Sequence, residues 1–121
     1  QLRRCHGGTE EHYRTMYEAS MVRDEGMAKT LVQRQEEIRR AADGLRRIIL
    51  SYTGGGHIQY GLPVPKRVAR RLSGDVTQTT VYMMSFEPSR AEDVQAHLDN
   101  PIADYIWLTP MGKPNPTKPC K

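Results

Sequence analysis

Residues 9–50 read TEEHYRTMYEASMVRDEGMAKTLVQRQEEIRRAADGLRRIIL, the one long stretch of the chain that keeps a regular pattern and contains no proline. Met21, Ala28, Gln35, Ala42 and Ile49 stand seven apart, and Tyr17, Asp24, Leu31, Ile38 and Leu45 form the companion set. From Ala28 onward they make one apolar seam with a single polar interruption, Gln35. Met27, Val32, Ala41 and Ile48 widen it, so the face suits a globular core as well as a partner helix. The partner seam expected from this pattern is Leu31, Ile38, Ala42, Leu45 and Ile49.

Three acid–base pairs support the helix, Glu25 with Lys29, Glu36 with Arg40 and Asp43 with Arg47. Each has the acid four residues before the base, at about 0.2–0.5 kcal/mol per pair. Thr9 ahead of Glu10 and Glu11 is a helix start, because a hydroxyl and early carboxylates satisfy the free N–H groups and the positive helix end. Gly54, Gly55 and Gly56 supply a stop. A glycine inside a helix costs about 1 kcal/mol against alanine, so Gly26 is where the helix would divide in two if it divides. Gly44 carries the same cost, but the pattern continues through it. The expectation is one helix over 9–50.

Outward from this helix, residues 1–8 read as a basic tail with Arg3 and Arg4. Residues 51–65 form a glycine- and proline-rich connection, in which His57, Ile58, Gln59 and Tyr60 alternate as an edge strand would. Pro65 suits the first turn of a short helix through Leu72, with Ser73-Gly74 ending it. Residues 76–86 alternate and are rich in β-branched side chains, the best strand in the sequence. Ser89 with Glu92 has the capping-box form ahead of a helix at 90–99, and 103–108, with Tyr105, Ile106 and Trp107, is a second strand. Residues 66–109 thus form a β-α-β unit, with the two strands parallel through a right-handed crossover or antiparallel with the 57–60 piece. Residues 110–121, with Pro110, Pro114, Pro116 and Pro119 among lysines, are an extended tail. The predicted fold is α+β: a long N-terminal amphipathic helix packed against, or extending from, a small β-α-β unit with extended tails.

The chain's 121 residues suffice for one modest domain with a small core. Its 37% apolar content and mean hydropathy of −0.69 are low for an independent globule, yet too patterned for disorder, which points to a partner or self-association. No run reaches the roughly 18 apolar residues that cross a bilayer. The chain opens on Gln1 and not Met, the pattern left when a leader, a preceding domain or a polyprotein partner is removed, so no compartment is assigned. Cys5 and Cys120 are expected as two free thiols, a lone pair lacking the density of a disulfide scaffold.

A net charge of +4 and a pI near 9.3 make clustering the question. Arg39, Arg40, Arg46 and Arg47 form one basic group among Glu36, Glu37 and Asp43. Lys66, Arg67, Arg70 and Arg71 form another, with no acid between Ile58 and Gly74. Both could meet phosphates through sequence-independent charge, the second group more readily. The PVPKRVARRL stretch at 63–72 also has the form of a basic nuclear-import signal.

Gly54-Gly55-Gly56-His57 invites a phosphate-cradle reading, but no Gly-Lys-Ser/Thr follows and a flexible hinge fits better. His57-Ile58-Gln59 resembles the metal motif of rolling-circle nucleases over three residues only, and no tyrosine here carries the required lysine three positions on. The histidines and cysteines lack zinc-ligand spacing, and no nucleophile elbow is present. No metal, cofactor or catalytic residue is assigned. The function expected from the sequence is therefore a non-enzymatic assembly subunit, viral or ribonucleoprotein in kind, whose basic helix contacts nucleic acid or another acidic surface. The alternative is a helix-mediated dimeric adaptor or regulator without nucleic acid, and a third reading is a phosphate-handling enzyme built on the Gly54–His57 loop.

Overall fold

The computed structural model describes residues 9–73 and 76–111, so Cys5, Cys120 and most of both predicted tails lie outside the described residues. The fold is mixed helix and strand. It runs from helix α1 (Glu10–Ala41) through two short 3-10 turns (Gly55–His57 and Gln59–Gly61) to helix α2 (Val64–Arg71). Strand β1 (Val81–Phe86), a 3-10 turn (Pro88–Arg90), helix α3 (Ala91–Asp99) and strand β2 (Tyr105–Pro110) follow.

Helix α1 starts as its sequence requires. The Thr9 hydroxyl accepts the His12 N–H at 3.2 Å, with Glu10 and Glu11 in the first turn. Gly26 does not divide it: the helix is continuous for 32 residues, and Thr30 Oγ1 donates to the Gly26 carbonyl at 3.0 Å. It does end nine residues earlier than the 9–50 reading. Ala42 turns left-handed at φ 44°, Gly44 follows at φ 72°, and the Asp43 carboxylate accepts the Leu45 N–H at 3.1 Å. Asp-Gly is turn chemistry, since the carboxylate caps the backbone two residues on and glycine accepts positive φ. Helical periodicity past it is coincidental. Residues 45–54 then run without regular secondary structure.

The core is small and lies where α1 crosses α2. Ala28 is fully buried against Val64, Val68 and Leu72, with Met27, Leu31, Val32 and Val76 packed around them. A small side chain at the crossing lets the two helices approach closely, and α2 is amphipathic enough to offer one apolar row. Pro65 stands in its first turn, where the missing N–H is not needed.

Strands β1 and β2 pair in parallel, with Val81 opposite Tyr105 and Phe86 opposite Pro110. They are shorter at the start than 76–86, and shifted two residues from 103–108, because the pairing begins only beyond a side-chain clamp. Asp104 Oδ2 accepts the Thr80 N–H and hydroxyl, both at 2.7 Å, and Thr80 Oγ1 accepts the Asp104 N–H at 3.0 Å. On one face the His97 ring of helix α3 lies 6.1 Å from that of Tyr82. On the other face Val81, Met83, Tyr105 and Trp107 are exposed.

The 57–60 piece is not an edge strand. It lies across the two 3-10 turns, with Tyr60 at φ 57° and Gly61 at φ 65°, conformations that prevent pairing. The Tyr60 N–H donates to the carbonyl of buried Ile102 at 2.7 Å, tying this loop to the β-α-β unit. Among the described residues no helix is long and apolar enough to cross a membrane.

Candidate functional site

The most unusual group in the molecule is Asp24. In the sequence it sits in the polar run Arg23-Asp24-Glu25, yet it is 5% exposed, the only charged residue among the described ones that is buried. A carboxylate in such a place requires a partner, and it has one. His57 Nδ1 lies 2.5 Å from Asp24 Oδ1, across 33 residues of sequence. Beside this contact Thr53 Oγ1 donates to Met27 Sδ at 3.4 Å, so the 53–57 segment is fastened to one flank of α1 at two successive turns.

Glycines make the approach possible. A Cβ on Gly55 would collide with the ring of Tyr82, so the loop sits directly on β1, while a Cβ on Gly56 would meet nothing within 4 Å. The sequence suggested a flexible hinge; instead the glycines pack a 3-10 turn that aims His57 at Asp24. The His57 side chain keeps 22% of its surface exposed, against 7% for Asp24. A carboxylate only accepts, so in the neutral ring Nδ1 donates to Asp24 and Nε2 is left as the acceptor. The pair is thus an oriented imidazole with one basic nitrogen to offer.

The other flank of α1 carries Glu25, and this changes the reading of the basic residues. Arg67 Nε meets Glu25 Oε2 at 3.2 Å, Arg71 also pairs with Glu25, and Arg67 further donates to the Pro63 carbonyl at 2.7 Å and to Met21 Sδ at 3.3 Å. The group without a local acid therefore has one from another helix. Lys66 and Arg70 are exposed, with no ion pair among the described residues. In the first group Arg40 pairs with Glu36 and Arg47 with Asp43, while Arg39 and Arg46 are exposed. Two of the acid–base pairs expected from spacing are present. The side-chain bonds from Arg47 hold the Asp43 carboxyl below its ordinary range, and those from Arg34 and Gln33 lower that of Glu37.

The predicted partner seam is not one surface. Leu31 packs on the molecule's own core, Ile38 and Ile49 are half-buried, and Ala42 is the helix cap. Leu45 lies beyond the end of α1 and is exposed. Among the apolar residues that face outward are Leu45, Ile48, Leu50 and Tyr52, the last three more than four-fifths exposed. Among the described residues no three His, Cys, Asp or Glu side chains converge as a metal cage.

Residues 1–68, more than half of the 121, match the family described as haem-binding uptake, Tiki superfamily, ChaN, and the chain belongs to that family. The matched portion ends inside α2 and contains α1, the glycine loop and the Asp24–His57 contact, but not the β-α-β unit. Neither a curated protein nor a solved structure matches the chain.

Proposed function

We propose that the chain binds haem as a cargo, with His57 as the residue that would ligate the iron and Asp24 as the residue that positions His57. The observation that carries this reading is the 2.5 Å contact between His57 Nδ1 and the buried Asp24 carboxylate. A histidine that ligates a metal usually gives its other ring N–H to a carboxylate, which fixes the tautomer and makes the ligating nitrogen more basic. One such imidazole would suit haem, whose iron is commonly held by a single protein histidine while the porphyrin supplies its nitrogen donors. The donor set therefore fits the group named in the family's description. Gly56, open within 4 Å, leaves space beside His57 that a side chain would occupy.

The test is a titration of the purified chain with haemin, followed in the Soret band. Saturable binding is expected, with His57→Ala removing the imidazole-ligated spectrum and Asp24→Asn weakening binding about 10–100-fold. Equal affinity and an unchanged spectrum in His57→Ala would overturn the assignment.

A second reading, an assembly subunit with a polyanion-binding face, is favoured by the exposure of Ile48, Leu50 and Tyr52 and of the cations Lys66 and Arg70. Apolar side chains this exposed and this close together mark surfaces that partners cover. Sedimentation at low and high salt, with and without mixed-sequence RNA, distinguishes it: salt-sensitive comigration supports it, and indifference to RNA removes the nucleic acid from it.

A further inference from the structure

A cleft lies between the 60–65 turn and the start of the sheet. Its volume is about 340 Å³, within the range of small-ligand sites. Tyr60, Gln78, Thr80 and Asp104 contribute its polar wall, with Pro65 and Pro101 as apolar sides. No lysine or arginine lines it, in a chain whose net charge is +4.

What these groups offer is set by the bonds they already make. Asp104 uses Oδ2 for both Thr80 donors, which fixes the carboxylate's orientation and leaves Oδ1 as an acceptor. Gln78 uses its Nε2 to donate to the Pro65 carbonyl at 3.2 Å, so its remaining side-chain atom is also an acceptor. Tyr60 is held left-handed at φ 57° and ψ 19° with its N–H bound to Ile102, and its ring is about half exposed at the cleft. A non-glycine residue in that region is strained, and such residues cluster at active sites and ligand clamps.

A fixed carboxylate, an amide oxygen and an aromatic ring around one small cleft share a single chemical complement. A planar cation with several N–H donors satisfies both acceptors and stacks on the ring while neutralising the carboxylate; a neutral amide brings no charge and an anion is repelled. We propose that this cleft binds a guanidinium group of the arginine side-chain type. Asp104 supplies the charge, Gln78 the second acceptor and Tyr60 the aromatic face. The proposal uses neither His57 nor Asp24; of its three contact residues, Tyr60 lies within residues 1–68 and Gln78 and Asp104 lie beyond them.

The test is an amide chemical-shift titration of the whole chain with acetyl-arginine-amide, with acetyl-citrulline-amide as the neutral isostere and free arginine as a third probe. Saturable shifts are expected at Tyr60, Thr80 and Asp104 with the arginine compound and not with citrulline. Asp104→Asn keeps an acceptor for Thr80 and is expected to bind about ten-fold more weakly or worse, as a charge-assisted bond becomes a neutral one. Tyr60→Ala provides a second variant should Asp104→Asn disturb the clamp. Stronger binding of the capped compound than of free arginine identifies the source as a peptide, and the reverse identifies the free amino acid. Equal shifts with citrulline, no saturable shift, or an Asp104→Asn variant that folds and binds unchanged would overturn the proposal.

Discussion

Asp24 and His57 meet at 2.5 Å although 33 residues separate them, and the carboxylate of the pair is almost wholly removed from water. Removing one partner leaves an uncompensated buried group, whereas removing both does not. His57→Ala is expected to destabilise the fold by about 3 kcal/mol, and the double variant with Asp24→Ala by less than the sum of the two single changes. Urea denaturation at unchanged slope measures this; additive losses would show that the contact carries no coupling.

Three glycines give opposite expectations. Gly26→Ala meets nothing within 4 Å inside α1 and should stabilise by up to about 1 kcal/mol. Gly55→Ala drives a methyl group into the Tyr82 ring and should destabilise, and under the proposed haem reading it should also weaken haem binding because the loop carries His57. Gly44→Ala places a side chain at φ 72° and should lose stability by backbone strain alone. Thermal melts of the three variants rank them.

Glu25 is the acid that engages both Arg67 and Arg71. Glu25→Gln frees them at a cost of about 1 kcal/mol or less, since the pair is partly exposed. If the basic helix contacts polyanions, this variant should bind RNA more tightly than the parent, with a steeper dependence on salt. Weaker or unchanged binding would dissociate α2 from polyanion recognition.

Exposure separates two leucines. Leu72 is 6% exposed and Leu72→Ala should cost about 2–5 kcal/mol, whereas Leu50 is 94% exposed and Leu50→Lys should change monomer stability by less than about 0.5 kcal/mol. The same lysine should reduce self-association if the 45–52 segment is a contact surface, which light scattering would report.

The hydrogen bonds from the Thr80 hydroxyl and backbone hold the Asp104 carboxyl below its ordinary value of 3.8. A depressed folded-state pKa contributes stability that is present above the unfolded value and lost as pH falls through the folded one. Stability should therefore decline below about pH 4, and Thr80→Val should flatten this part of the profile. An acid limb that is the same in both proteins would place its origin elsewhere.

Much of the architecture was legible because it is local. Thr9, Glu10 and Glu11 announce the start of α1, Pro65 the start of α2, and the alternation ending at Phe86 a strand, since caps, fixed φ and side-chain period act within a few residues. The early end of α1 was also written locally, in Asp43-Gly44, but helical periodicity through Leu45 and Ile49 masked it. The candidate site was legible only in part: Gly54 to His57 drew attention for its glycines, whereas Asp24 looked like a solvated member of a charged run.

By itself the sequence determined the order of the three helices and two strands, the surplus of positive charge and the shortage of core-forming side chains. Tertiary structure decided what the charges do. Asp24 became buried because His57 returns to it from the glycine loop, and Glu25, one residue on, faces the opposite flank and takes Arg67 and Arg71 from α2. These contacts span 33 and 42 residues of chain. They depend on where two helices cross, and the crossing is set by the packing of Ala28 against Val64 and Val68 and not by any pattern within one segment.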